Sequence, residues 1–243
     1  MNVKAKIKTY LNYFLFKKGY KILKVSKHPL QDSNPFLACK SQIVHTNPII
    51  FDIGMNHGQT LNKILEVFPN PIVHGFEASK YCYNSLNAEF STIKDFFLNN
   101  VAIGDKETVM QFNEYSWDAL NSFLTRAYGS AKIIETYDVN VTTIDAYCLV
   151  NNIQKIDILK SDTEGFELKV LTGAQKMLKE NKVHFVFIEM FFDLNFFNQS
   201  TVGEIFSFLE KNNFSLVRFY EFELTGGGMA SKSDALFVNM NFI

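Results

Sequence analysis

One tryptophan, three cysteines and five prolines are scattered through 243 residues, and each shortage narrows what the chain can be. The cysteines (Cys39, Cys82, Cys148) are odd in number and widely spaced, and no secretory leader precedes them. A disulfide scaffold is therefore excluded, and reduced thiols in a cytoplasmic protein are expected. The five histidines (His28, His45, His57, His74, His184) have no carboxylate or cysteine at metal-motif spacing, so no zinc site and no resident metal is assigned. Apolar runs are too short to span a bilayer, and no small-residue cleavage site follows the first, which argues against a transmembrane helix and a signal peptide. Acidic residues are missing from positions 1–31, which carry eight lysines; the rest of the chain holds 16 basic residues against all 25 acidic ones. A nucleic-acid partner would need the opposite balance on the folded domain, so none is expected. Repeats, low-complexity tracts and internal linkers are also lacking.

What is present is phenylalanine, 25 residues of it, in a chain that is 47% hydrophobic and 20% charged. That composition suits a globular protein with a sizeable core. The run from Phe185 to Phe197 reads equally as an aromatic core or as an apolar surface near a site. Residues 1–46 form a basic amphipathic extension that mixes lysines with Tyr10, Leu11, Tyr13, Phe14, Leu15 and Phe16. Such a helix packs on its own domain or on a second subunit, making a homodimer, or lies against the anionic inner face of a membrane as a peripheral contact.

From residue 47 to 243 an alternation of apolar runs and helical periodicity predicts an α/β domain with a mostly parallel sheet. Strands are expected at 49–53, 72–76, about 95–103, 156–160 and 183–189, and helices at 59–67, 79–89, 144–150, 166–179 and 201–211. Residues 104–145 break the rhythm, with a strand at 109–112, polar loop chemistry around 116–130 and an extended 139–142. Phe214–Phe222 and Ala235–Asn239 read as a terminal antiparallel pair, and the loop 191–200 is expected to cover the carboxyl edge of the sheet.

The segment Ile49-Ile-Phe-Asp-Ile-Gly-Met-Asn-His-Gly58 is a buried strand, a glycine turn and a helix start, the arrangement with which open α/β sheets meet nucleotide-like ligands. It lacks the third glycine of a dinucleotide fingerprint, and Asp52 at the strand tip would repel a pyrophosphate. A ligand with a cationic or hydroxylated end fits better. Carboxylates also stand at three further strand ends: Glu77, Asp162 and Glu189. Glu77 follows Asp52 by 25 residues, close to the spacing at which an acid takes ribose hydroxyls. Asp162 and Glu164 sit two residues apart in the turn Ser161-Asp-Thr-Glu-Gly165, where mutual repulsion raises one pKa and makes a proton acceptor. Strand-tip acids also serve as helix caps, and Glu167 in the following first turn complements the helix dipole.

With these motifs in place the chain resembles the FkbM family of S-adenosylmethionine-dependent methyltransferases. The resemblance rests on Asp52-Ile-Gly-Met-Asn-His-Gly58, Phe76-Glu77-Ala78, Lys160-Ser-Asp-Thr-Glu-Gly-Phe-Glu-Leu-Lys-Val-Leu-Thr-Gly-Ala174, Thr143-Ile-Asp-Ala-Tyr147, Ile188-Glu189 and Asp234-Ala-Leu-Phe-Val238. Positions 55, 78 and 161 depart mildly from the family pattern. The resemblance implies a class I methyltransferase fold of Rossmann-like type: a seven-stranded, mostly parallel sheet with its last strand antiparallel. It implies S-adenosyl-L-methionine as cofactor. Asp52, Gly54, Asn56 and Gly58 would hold the methionine part, Glu77 the ribose hydroxyls, and Asn100 beside Val101 would border the adenine; Ile53, Thr60 and Ala78 would also bind the cofactor. Asp162 would stand beside the methyl group.

The expected reaction is O-methylation of a small-molecule or glycan hydroxyl, on a sugar of a surface polysaccharide, with other natural products as rival acceptors. Asp162 or Glu164 would act as base, and Glu189 is a third candidate. An ion held by those three acids is conceivable, and full activity in excess chelator would exclude it. A nucleotide-dependent oxidoreductase or epimerase is the rival from another class. The missing glycine and the absence of a Tyr-x-x-x-Lys pair argue against it.

Overall fold

The computed structural model describes residues 3–19 and 28–243, with side chains from Thr9 onward. Lys21, Lys24 and Lys27 of the basic segment lie outside the described residues, as do the side chains of Lys4, Lys6 and Lys8.

Helix α1 (Val3–Phe16) leaves Tyr10, Tyr13, Phe14 and Phe16 exposed, so the expected packing of this aromatic stripe on its own domain is not met at those positions. Lys17 and Lys18 instead lie over the Tyr13 and Phe14 rings, at 4.9 and 5.1 Å. Among the described residues no helix is long and apolar enough to cross a membrane. Helix α2 (Pro35–Lys40) is different. Asn34 caps it, Pro35 opens it, and Phe36, Ala38 and Cys39 are buried in the main core. The expected division at 46/47 is therefore later than the packing boundary, because residues 35–43 already belong to the domain core.

The central sheet contains β1 (Ile49–Ile53), β2 (Ile72–Phe76), β3 (Phe96–Asn99), β7 (Ile156–Ser161), β8 (Val183–Phe191), β9 (Phe214–Leu224) and β10 (Ala230–Asn239), in the order β3-β2-β1-β7-β8-β10-β9. Only β10 runs against the other six. It is inserted between β8 and β9, the terminal antiparallel pair the sequence implied. All nine residues of β8 are buried, as a strand covered on both faces requires. Much of the Phe-rich run is thus core: Phe185, Phe187, Phe191 and Phe196 are buried, while Phe197 is exposed.

Helices α3 (Gln59–Val67), α4 (Lys80–Phe90), α5 (Ile144–Val150), α6 (Glu167–Thr172), α7 (Gln175–Lys179) and α8 (Val202–Lys211) accompany the strands. In α3 the buried residues Leu61, Ile64 and Val67 recur at helical spacing. A reciprocal Thr201–Glu204 capping box starts α8. The single helix expected at 166–179 is two. The Asp145 carboxylate accepts the backbone N–H groups of Lys176 and Met177, at 2.8 and 3.0 Å, and starts α7 afresh after Gly173-Ala174.

Residues 102–142 leave the main sheet. The strand expected near 95–103 ends at Asn99, and β4 (Ala102–Ile103), β5 (Thr108–Tyr115) and β6 (Ile133–Thr142) form a second sheet in the order β4-β6-β5. Its 116–131 loop is tied to the 192–200 loop by Ala127 N–H to Asn195 O (2.9 Å) and Phe197 N–H to Thr125 O (2.9 Å). Arg126 lies on the Phe196 ring at 4.8 Å.

Candidate active site

At the carboxyl end of β1 the chain turns through Gly54 (φ 75°), Asn56 (φ 49°) and Gly58 (φ 79°), all left-handed conformations that favour glycine and asparagine. Gly54 has a second constraint. A Cβ there would lie 1.8 Å from the carbonyl oxygen of Asp162, so only a bare α-carbon lets the β1 and β7 turns touch. Met55 replaces the small residue of the family signature without disturbing the turn. Its side chain is buried over Gly75, whose missing Cβ leaves room for the Met55 sulfur.

Glu77, at the tip of β2, holds this turn from the other side. Its Oε2 accepts the Asn56 N–H and its Oε1 the Ser79 N–H, both at 2.8 Å. Burial pushes its carboxyl up to about 7, against the pull of the Ser79 and Asn56 N–H groups. An ionised carboxylate has about four lone-pair sites, so two remain for hydroxyl donors. Asn100 acts behind it, donating to the Glu77 carbonyl at 2.9 Å.

Asp52 is fully buried, and what it faces is a lysine. In the β1–β7 register Asp52 lies opposite Lys160, whose Nζ is 3.0 Å from Asp52 Oδ1 and 3.8 Å from Asp162 Oδ2. The same ammonium donates to the Gly54 carbonyl at 2.7 Å. Burial works to strip its proton, but the Asp52 and Asp162 carboxylates outweigh that and raise its pKa. The expected direct grip of Asp52 on a cationic ligand is thus corrected: Lys160 neutralises it from within.

After β7, Glu167 caps the Ser161–Gly165 turn, its Oε1 accepting the Thr163 and Gly165 N–H groups at 2.9 and 3.2 Å. Glu164 takes a left-handed φ of 52°. Its carbonyl accepts the Ser122 hydroxyl at 2.9 Å, so the second-sheet loop pins the turn. Burial, then the nearby Asp162 charge, pushes the Glu164 carboxyl up to about 8. Burial, then Asp162 and Glu164, likewise raises Glu189 well above the carboxylate range. Lys232 of β10 answers them, 2.7 Å from Glu189 Oε1. Asp234 lies opposite Glu189 in the β8–β10 register.

These groups surround a cavity of about 600 Å³ at the carboxyl edge of the sheet, within the usual range for a small-molecule site. Ile53, Gly54, Asn56, Thr60, Glu77, Ala78, Val101, Asp162 and Glu164 line it; Asp52, Gly58, Asn100 and Glu189 do not. Gly58 faces the Phe90 ring instead, 2.6 Å from where its Cβ would be. Sequence reasoning left out Lys160, Lys232 and Asp234, and the apolar wall of Ile103, Phe112, Phe123 and Phe166. A signal existed for the first three. Lys160 opens a motif at a strand end, and residues 232 and 234 share one face of a strand. Ile103, Phe112 and Phe123 come from the second sheet and its loop and carry no motif, whereas Phe166, just before α6, falls inside the Lys160–Ala174 motif.

Comparison with known proteins gives the family and the fold. Residues 52–216 match the Methyltransferase FkbM domain. The 2-O-methyltransferase NoeI of Sinorhizobium fredii (strain NBRC 101917 / NGR234) is 23% identical over 155 residues, 59% of this chain and 63% of that protein. The chain thus spans less than two thirds of that relative's length. An rRNA methylase from Streptococcus thermophilus superposes with a TM-score of 0.50 at 12% identity, over 89% of this chain and 99% of its own, a likeness of fold alone. That shared fold, with its seven-stranded, mostly parallel sheet and inverted β10, is the class I methyltransferase fold. With the match covering more than half of its residues, the glycine turn and the strand-tip acids among them, this chain belongs to the FkbM family of methyltransferases.

Proposed function

We propose that the cavity binds S-adenosyl-L-methionine and that the chain methylates a hydroxyl of a sugar-like acceptor, in the assembly of a surface polysaccharide. The observation that carries the cofactor reading is the joint placement of Gly54 and Glu77 on one cavity wall. Gly54 lets the β1 and β7 turns close together at the cavity, and Glu77 keeps two acceptor sites for a ribose diol. Ile103, Phe112 and Phe166 give the apolar side on which an adenine ring would rest.

When bound, the cofactor supplies a methyl group on a sulfonium, ready for displacement by an aligned nucleophile. The protein's own part is to orient the acceptor oxygen and to receive its proton. Asp162, on the cavity wall beside Gly54, is the base we assign, with Glu164 next to it. The acceptor end combines Asp162, Glu164, Asp234 and Lys232, and such a wall favours a hydroxyl-rich molecule over an apolar one. The 2-O-methyltransferase name of the relative supports oxygen as the atom methylated.

Incubation with labelled cofactor and a panel of nucleotide-activated sugars and glycan fragments tests this. Mass spectrometry should find one methyl group on a sugar hydroxyl. Transfer to phenols or amines alone would contradict it.

Glu77 makes the cofactor's affinity pH-dependent. Its folded pKa of about 7 exceeds the ordinary 4.5, so between those values the folded chain keeps a proton that the unfolded chain has lost. Its contribution to stability therefore falls as pH rises through that window and levels off above about 7. Hydroxyl donors bind the ionised form, so ligand affinity moves the other way. Calorimetry with S-adenosylhomocysteine should show about tenfold weaker binding at about pH 6 than at about pH 8. In Glu77→Gln the dependence should vanish and affinity fall overall.

A further inference from the structure

Methyl transfer needs one base, yet three carboxylates converge at the acceptor end. Asp162, Glu164 and Glu189 each present one carboxylate oxygen, and the three oxygens lie within 4.8 Å of one another. Glu164 and Glu189 are 8% and 6% exposed, and the Oε2 atom of each is buried with no hydrogen-bond partner among the described residues. Lys232 does not meet those atoms. Its contacts, 2.7 Å to Glu189 and 3.9 Å to Glu164, are both to Oε1. Lys160 reaches Asp162 only at 3.8 Å and is committed to Asp52 and the Gly54 carbonyl. With one ammonium for three carboxylates, Glu164 and Glu189 hold protons in the absence of an ion, as their raised pKa values require, and a bound cation would take the place of those protons. Three convergent oxygens, with a buried and unpartnered oxygen on both Glu164 and Glu189, make a cavity corner that a cation can fill by displacing protons.

We infer that Asp162, Glu164 and Glu189 form a binding site for a hard divalent cation of the Mg²⁺, Mn²⁺ or Ca²⁺ class. The donors are all oxygen, which selects these ions over zinc or copper. The centre of a triangle with 4.8 Å sides is about 2.8 Å from each corner, and Ca²⁺ takes oxygen at about 2.3–2.6 Å, Mg²⁺ at about 2.0–2.1 Å. Small side-chain shifts close the difference. Asp162 and Glu164 line the cavity, so the ion's remaining positions face the acceptor. The other close group, His57, Cys82 and Asp118, is unlike this one. There His57 and Asp118 pair with each other at 2.7 Å, and Cys82 is a buried thiol that burial pushes up to about 12.

The ion's role rests on the hydroxyl-methylating reading; its binding does not. A cation lowers the pKa of a hydroxyl it coordinates. The acceptor's O–H bond is exchanged for an O–CH₃ bond, the proton passes to the Asp162 oxygen not on the ion and from there to water, and the electron pair of the broken S–CH₃ bond stays on sulfur.

The test uses the full chain, stripped with EDTA and without cofactor, titrated with MnCl₂ while electron paramagnetic resonance reports free Mn²⁺. One ion should bind per chain, and excess Mn²⁺ or Mg²⁺ should raise the thermal midpoint by about 2–6 °C. Glu164→Gln and Glu189→Gln should each weaken binding by at least about tenfold. Should Glu189→Gln fail to fold, Glu164→Gln and the native titration still decide. Absence of Mn²⁺ binding at about 1 mM, or undiminished affinity in Glu164→Gln, overturns the site. Stoichiometric Mn²⁺ binding without hydroxyl methylation would sink the proposed function and leave the site standing. Methylation in excess EDTA by a chain that binds no Mn²⁺ would do the reverse.

Discussion

Asp162→Asn is expected to lower turnover by about 10²–10⁴-fold while leaving affinity for S-adenosylhomocysteine within severalfold. The argument separates what the Asp162 backbone does from what its side chain does. The backbone N–H donates to Ile53 O at 3.1 Å, and the carbonyl packs against Gly54; both contacts survive the substitution. The carboxylate is lost, and with it the proton acceptor on the cavity wall. Lys160 stays paired with Asp52 at 3.0 Å, so the floor of the cavity keeps its charge balance. Single-turnover kinetics beside calorimetry with S-adenosylhomocysteine checks the split. Unchanged turnover would remove Asp162 from the chemistry, and lost affinity would make it a binding residue.

Gly54→Ala is expected to abolish cofactor binding and to destabilise the fold by about 2–4 kcal/mol. Two costs coincide at this position. A left-handed φ of 75° is strained for alanine, and the new methyl group would meet the Asp162 carbonyl oxygen at 1.8 Å. The carbonyl is backbone and cannot rotate away, so the β1 and β7 turns must separate. Separation also stretches the Lys160 bridge to the Gly54 carbonyl, 2.7 Å long here. Denaturant titration of the variant with and without S-adenosylhomocysteine measures both effects. Native-like stability together with native-like affinity would show that the turns do not pack as described.

Much of this site could be read from local pattern. The apolar run before Gly54 and the periodicity after Gly58 fix a strand and a helix without tertiary information. Glu77 follows from strand spacing, and the antiparallel end follows from two apolar segments around a glycine-rich turn. What escaped notice depends on pairing between distant segments. That Lys160 neutralises Asp52 requires knowing that β7 lies beside β1 and in which register. That Lys232 threads between Glu164 and Glu189 requires β10 to lie beside β8. The rim that reads as a row of acids in one dimension is therefore a charge-mixed surface in three. The second sheet escaped for a similar reason: β5 and β6 pair across a 17-residue excursion of polar composition with no period of its own. The break between α6 and α7 comes from the side chain of Asp145, some 30 residues upstream, which no helix propensity can anticipate.

The most direct test of the account is calorimetry of the native chain with S-adenosylhomocysteine set against NAD. A single site for the nucleoside in the micromolar range, weakened strongly in Glu77→Ala, with no heat from the dinucleotide, is the predicted result. Binding of NAD with no response to S-adenosylhomocysteine would contradict it.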